Sequence, residues 1–204
     1  MRKTKIKICG LMGGEDVSYV NIVHPDYVGF VFAQSKRRVS EELAAKLAAE
    51  LDSGIIRVGV FVDEEADRVV ELLKKDIIQI AQLHGGESPD EIRYIQQRSG
   101  RQVIKAIQVR TAADVAAGMD SPADILLLDS GKGSGEAFDW DCLRAASRPF
   151  LLAGGLTPEN VGEAVMEISP FGVDVSSGVE TNGRKDFFKI HDFMEAVTKG
   201  DKRK

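Results

Sequence analysis

The sequence predicts an α/β fold, a closed (β/α)8 barrel, on three observations. Eight short runs rich in Val, Ile, Leu and Phe recur at intervals of about 25 residues. They are apolar almost throughout, as parallel strands covered on both faces must be. The intervals between them carry helical patterning, so strand and helix alternate along the chain. Eight such units in 204 residues describe a barrel slightly smaller than usual. Periodicity does not report closure, and an open doubly wound sheet is the alternative. Against that sheet, Gly131-Lys132-Gly133-Ser134-Gly135 is neither a dinucleotide fingerprint nor a Walker loop, because Leu126 stands where the first Walker glycine belongs.

The expected strands are residues 6–9, 27–32, 56–62, 78–83, 103–109, 125–129, 150–153 and 173–175. After the second, Ser40 before Glu41-Glu42 marks a helix start, and Leu43, Ala44, Leu47, Ala48 and Leu51 form its apolar stripe. Asp63 before Glu64-Glu65 marks the next, with Ala66, Val69, Val70 and Leu73 as the stripe. Ser88-Pro89-Asp90-Glu91 spells a capping box with proline at the first helical position. Residues 139–146 read as a helix after the sixth strand, and Thr157-Pro158-Glu159 repeats the cap-then-proline device after the seventh. No Pro/Ser-rich linker or shift of composition intervenes, so residues 1–204 are expected to form one domain.

Composition narrows the function. With 27 basic and 32 acidic residues the net charge is −5, so no global basic field favours nucleic acid or an anionic membrane. Anionic small molecules would have to be held by local groups. Cys9 and Cys142 lie far apart with no Cys-x-x-Cys spacing, which argues against a disulfide framework or a thiolate zinc site and for a reducing cytoplasm. The basic start is not followed by an apolar segment long enough for export or for spanning a membrane. The charged tail, residues 199–204, reads as a frayed terminus.

In either topology ligands gather where the strands end. The polar groups there are Cys9-Gly10, Ser35 to Arg38, Asp63, Gln82 and His84-Gly85-Gly86, Asp129, Gly154-Gly155 and Ser176-Ser177-Gly178. A free cysteine is commonly an inert small hydrophobe, and Cys142, inside an expected helix, keeps that reading. Cys9 sits at the rim beside a loop whose backbone N–H groups would favour its thiolate. Asp129 precedes the glycine-rich segment 130–135, which reads as a mobile lid; at the floor of a gated pocket, desolvation would favour the protonated acid that a proton donor needs. A thiolate that removes a carbon-bound proton and a carboxylic acid that supplies one point to isomerisation, with no metal or organic cofactor.

Gly154-Gly155 and Ser176-Ser177-Gly178 are either ordinary tight turns or a phosphate cradle, and their place after the seventh and eighth strands favours the cradle. Lys36-Arg37-Arg38 is either a solvated loop or a source of a guanidinium that grips a carboxylate. His84 reads as a turn histidine, a substrate donor or, less well, a metal ligand; His24 and His191 lie on outer segments, so no metal constellation assembles.

The order and spacing of Lys7-Ile8-Cys9-Gly10, Gly29-Phe30-Val31-Phe32, Ser35-Lys36-Arg37-Arg38, Gln82-Leu83-His84-Gly85, Leu127-Leu128-Asp129 with Phe138-Asp139-Trp140, Ala153-Gly154-Gly155 and Asp174-Val175-Ser176-Ser177-Gly178-Val179-Glu180 closely resemble the phosphoribosylanthranilate isomerase family of tryptophan biosynthesis. The resemblance implies a barrel enzyme that performs an Amadori rearrangement on N-(5-phosphoribosyl)anthranilate without a cofactor, as a monomer or homodimer. It implies Asp129 as general acid and Cys9 as general base. Arg37 would bind the anthranilate carboxylate, Gly154, Gly155, Ser176, Ser177 and Gly178 the phosphate, while Asp174, Gln82 and His84 would line the pocket. Met12-Gly13-Gly14 departs from the family pattern of a hydroxyl residue followed by arginine, which is expected to weaken the cap of the first helix. Another sugar-phosphate isomerase or lyase, or a non-catalytic barrel that serves as an interaction module, remain the alternatives.

Overall fold

The structure, a computed structural model, describes residues 4–131 and 140–202. Eight parallel strands pair in sequence order: β1 (Lys5–Cys9), β2 (Tyr27–Val31), β3 (Ile56–Phe61), β4 (Ile80–Leu83), β5 (Val103–Gln108), β6 (Ile125–Asp129), β7 (Phe150–Ala153) and β8 (Gly172–Val175). The ladder closes where β8 returns to β1, with Ile6 opposite Val173 and Lys7 opposite Asp174. Closure removes the open-sheet alternative and leaves no exposed barrel edge.

Around the barrel lie α1 (Gly14–Val23), α2 (Glu41–Glu50), α3 (Ala66–Lys74), α4 (Pro89–Ser99), α5 (Ala112–Met119), α6 (Val161–Ile168) and α7 (Phe187–Lys202). Ser40 caps α2 by accepting from the Leu43 N–H, and Ser88 with Glu91 forms the capping box of α4. The stripes face inward in their central residues, with Ala44 and Leu47 of α2 and Val69, Val70 and Leu73 of α3 buried, and Leu72, outside the expected stripe, is buried too. Beyond β8 the chain forms a short antiparallel hairpin, β9 (Glu180–Thr181) and β10 (Arg184–Lys185).

Four expectations are corrected. The expected helix 139–146 is a 3-10 helix, Trp140–Ala145, ended by an i to i−3 bond from the Ala146 N–H to the Leu143 carbonyl. Arg148 is already bound to the carbonyls of Ser121 and Ala123, so the chain must turn into β7 within a few residues and only a short, tight helix fits. Asp63 caps no helix; it sits at φ 49°, and its carboxylate accepts the Gly86 N–H at 2.6 Å, binding two loops together. α6 begins at Val161 rather than after Thr157, because Asn160 takes the Thr157 N–H at 2.8 Å and so closes the preceding turn. The tail is not frayed as far as Lys202: α7 continues, and Asp201 accepts the Thr4 N–H at 3.0 Å and its hydroxyl at 2.7 Å.

The core has two layers. Inside the barrel, Tyr27, Val58, Ile80, Ile104, Ala106, Leu127, Leu151 and Ala153 fill the floor. A larger apolar shell joins the outer strand faces to the helices. Among the described residues no helix is long and apolar enough to cross a membrane.

Candidate active site

Side chains alternate along a strand, and residues opposite one another in a parallel ladder face the same side. Lys7 is opposite Tyr27 and Asp174, and Tyr27 belongs to the interior cluster, so Lys7, Cys9 and Asp174 all point into the barrel. On the far wall Gln82 is opposite Ile104, and Asp129 is opposite Ala153, which places both on the inward face as well. Cys9 and Asp129 are the last residues of β1 and β6. They therefore look into one mouth, with the ends of β7 and β8 between them.

Cys9 is buried, and Gly29 on β2 leaves room for its sulfur: a Cβ there would lie 2.7 Å from Sγ. The expected backbone assistance to the thiolate is not what dominates. Burial pushes the thiol pKa up, and the ammonium groups of Lys7 and Lys185 pull against it without prevailing. The resting group is a thiol.

Asp129 also differs from expectation. Its Oδ2 lies 3.4 Å from His84 Nε2, and Oδ1 accepts the Gly131 N–H at 2.8 Å. The His84 hydrogen bond, ahead of burial, which opposes it, holds the carboxyl below its ordinary range. Resting Asp129 is thus a carboxylate. Gln82 stands behind it, with its amide nitrogen 3.2 Å from His84 Nδ1. When that amide donates, the ring proton belongs on Nε2, facing Asp129. Gln82 Oε1 is buried without a hydrogen-bond partner among the described residues. The residues that follow Asp129 begin tied down, because the Ser130 hydroxyl lies 3.1 Å from the carbonyls of Ala153 and Gly154. Residues 132–135 of the expected lid, and Phe138-Asp139, lie outside the described residues.

The loops after β7 and β8 touch. A Cβ on Gly178 would overlap the Leu156 carbonyl, so only glycine lets the two turns meet. Gly154 adopts φ 96°, and a Cβ there would lie 2.7 Å from Asp129 Oδ1. Asn160 donates to the Gly155 carbonyl at 3.0 Å, fixing the turn ahead of α6. Ser177 and Gly155 are exposed at the rim, whereas the Ser176 hydroxyl donates to the Cys9 carbonyl at 3.0 Å. Arg37 reaches the same rim, but its Nε and Nη2 hold both oxygens of Glu180, at 2.6 and 2.8 Å. Only its remaining N–H groups can meet a ligand carboxylate.

Residues 6–196 match the family model described as N-(5'-phosphoribosyl)anthranilate (PRA) isomerase. The chain belongs to the phosphoribosylanthranilate isomerase family. As a member it is an isomerase of tryptophan biosynthesis. It is 47% identical over 191 residues to the N-(5'-phosphoribosyl)anthranilate isomerase of Endomicrobium trichonymphae, covering 91% of this chain and 94% of that one. The crystal structure of phosphoribosyl anthranilate isomerase from Thermotoga maritima superposes with a TM-score of 0.88 at 37% identity, covering 96% of this chain and 98% of that one. A phosphoribosyl anthranilate isomerase solved in complex with reduced 1-(o-carboxyphenylamino)-1-deoxyribulose 5-phosphate superposes at 0.85 and 36% identity, with the same coverage.

The departure at Met12-Gly13-Gly14 is compensated within the helix it precedes. Asp16 is buried, and its carboxylate accepts the N–H groups of Met12 at 2.6 Å and Gly13 at 3.2 Å, so α1 is capped from inside.

Sequence reasoning missed the charged groups beneath the mouth: Lys7, Lys185 and Glu180, and behind β4 the pair Lys105 and Glu87. Lys105 donates to Glu87 at 2.8 Å and to the Gly85 carbonyl at 2.6 Å, clamping the loop that carries His84. Lys7 and Lys105 inside otherwise apolar strand runs were the available signal, since charge is rarely buried unless paired; Lys185 and Glu180 gave none.

Proposed function

We propose that the chain catalyses the Amadori rearrangement of N-(5-phosphoribosyl)anthranilate to 1-(2-carboxyphenylamino)-1-deoxyribulose 5-phosphate. The reading rests on one observation above all: two proton-transfer groups end the inward faces of β1 and β6, with the paired glycine turns after β7 and β8 between them. Phosphate in the cradle of Gly154, Gly155, Ser176, Ser177 and Gly178 would lay the ribose across the mouth. Arg37, its fork held by Glu180, would turn its other N–H groups to the anthranilate carboxylate. Gln82, His84 and Asp174 would line the pocket.

Asp129 gives a proton to the ribose ring oxygen as the C1–O bond breaks, and the anthranilate nitrogen lone pair forms the C1=N bond. The Cys9 thiolate then takes the C2 proton. The C2–H pair becomes C1=C2 and the C=N pair returns to nitrogen, giving an enolamine. Loss of the C2 hydroxyl proton and protonation at C1 yield the ketone. Only protons and electron pairs within the substrate move, so the scheme calls for no cofactor. Negative charge on the bound substrate raises the Asp129 pKa and supplies the protonated form that the resting site lacks. Asp129 thus acts in the protonated form that the complex supplies, whereas Cys9 acts from the minor thiolate form, its thiol proton lost to solvent.

The reading is of a cytoplasmic enzyme, one domain acting as monomer or homodimer; the net charge of −5 offers no global basic field to recruit nucleic acid or an anionic membrane. Turnover of freshly made substrate, followed by loss of its fluorescence, tests the assignment. Cys9→Ala and Asp129→Ala are each expected to lose at least about a hundredfold in kcat. Normal turnover in either variant overturns the role given to that residue.

A further inference from the structure

The scheme above leaves unused a ladder of buried ion pairs around Cys9. Lys7, wholly buried two residues earlier on the same inward face, donates to Asp174 at 2.8 Å. Lys185 of β10 donates to Glu180 at 2.9 Å and to the Ser176 carbonyl at 3.0 Å. Ser176 in turn holds the Cys9 carbonyl, and Glu180 also holds Arg37. The charged groups that act on Cys9 therefore come from every side of it: Lys7 from its own strand, Asp174 from β8, Lys185 from β10, and Arg37 from the loop after β2. Arg37 and Lys185 share the single carboxylate of Glu180, whereas among the described residues Lys7 has Asp174 to itself.

With Lys185 protonated, which burial disfavours and Glu180 favours, the cations among these described groups outnumber the carboxylates by one. Arg37, which makes up the excess, is only partly exposed, so water compensates its charge incompletely. The remaining ionisable group at the centre of the ladder is the thiol of Cys9, whose ionisation would bring the cluster to neutrality. Burial opposes that ionisation and the two lysines favour it. Lys7 bears the opposite trace of the same coupling, its pKa raised because Asp174 and Cys9 outweigh the burial that opposes its charge.

We propose that Lys7 and Lys185 are positioning residues that hold Cys9 ready to ionise, their positive charge stabilising the thiolate that accepts the substrate proton. The proposal rests on the reading of Cys9 as general base, and its test is independent of turnover. The second cysteine is removed by Cys142→Ser, and alkylation of Cys9 by iodoacetamide is followed against pH in the free protein.

Lys185→Met and Lys7→Met should move the alkylation midpoint upward, each slowing alkylation at pH 7 by about tenfold for a displacement of one pKa unit. Asp174→Asn and Glu180→Gln, which remove negative charge, should move it downward and speed alkylation. General damage to the site would move all variants in one direction; the ladder moves them according to the sign of the charge removed. Should Lys7→Met fail to fold, Lys185→Met and Glu180→Gln carry the opposed pair. Midpoints that do not separate by sign, or that do not move, overturn the proposal. A ladder that passes while Cys9→Ala turns over normally would leave the electrostatics standing and remove the catalytic role instead.

Discussion

Glu180→Gln tests how firmly the ion pairs hold the rim. Glu180 is buried, its carboxylate takes the Arg37 fork and the Lys185 ammonium, and its pKa is lowered from 4.5 to about 2. Burial acts to raise it, but the two cations overcome burial. Such a displacement carries about 3 kcal/mol of linkage at neutral pH, which solvent screening reduces to about 2 kcal/mol. Because the folded pKa is depressed, this stability is fully present above about pH 4.5 and is lost as pH falls toward about 2. Glu180→Gln should therefore unfold about 2 kcal/mol more easily than the parent in urea at pH 7. The gap should narrow steadily below pH 4.5. A gap of the same size at pH 7 and pH 3, or no gap at pH 7, would refute the reasoning.

Three further outcomes follow from the site. His84→Ala removes the largest influence lowering the Asp129 pKa, so the Asp129 carboxyl should titrate at higher pH in carbon-13 spectra of the free protein; an unmoved midpoint would deny the contact its effect. Gly29→Ala places a Cβ 2.7 Å from Cys9 Sγ and should cut kcat by about tenfold or more through a misplaced base, while circular dichroism stays native. Lys105→Met leaves Glu87 buried without its ammonium and should cost about 3 kcal/mol, whereas the double variant with Glu87→Leu should recover much of that loss in the same urea titration.

Much of the fold was legible because a strand buried on both faces has to be written in apolar residues. The run 125–129 and the run 150–153 gave β6 and β7 to the residue. Helix starts were legible where the capping oxygen acts on its own helix, as at Ser40 and Ser88. They were misread at Asp63, where the same residue type spends its oxygen on the Gly86 N–H of another loop, a partner that only the closed barrel brings near. The mouth was legible from strand ends: Cys9 and Asp129 share it because of where the runs stop. Their resting charges were not, since those depend on burial in the closed barrel and on partners brought in from elsewhere, His84 from the loop after β4 and Lys185 from the hairpin after β8. Arg37 was legible as a guanidinium at the rim, but not its pairing with Glu180, 143 residues away in sequence, which occupies one edge of its fork.

Removal of the ribose C2 proton by the sulfur of residue 9 is the central step. Single-turnover kinetics with substrate deuterated at ribose C2 separate that step from product release. The parent protein should turn over the deuterated substrate more slowly than the protiated one, and Cys9→Ala should slow the reaction with either by at least about a hundredfold. Equal rates for the two substrates, or turnover by Cys9→Ala at the parent rate, would contradict it.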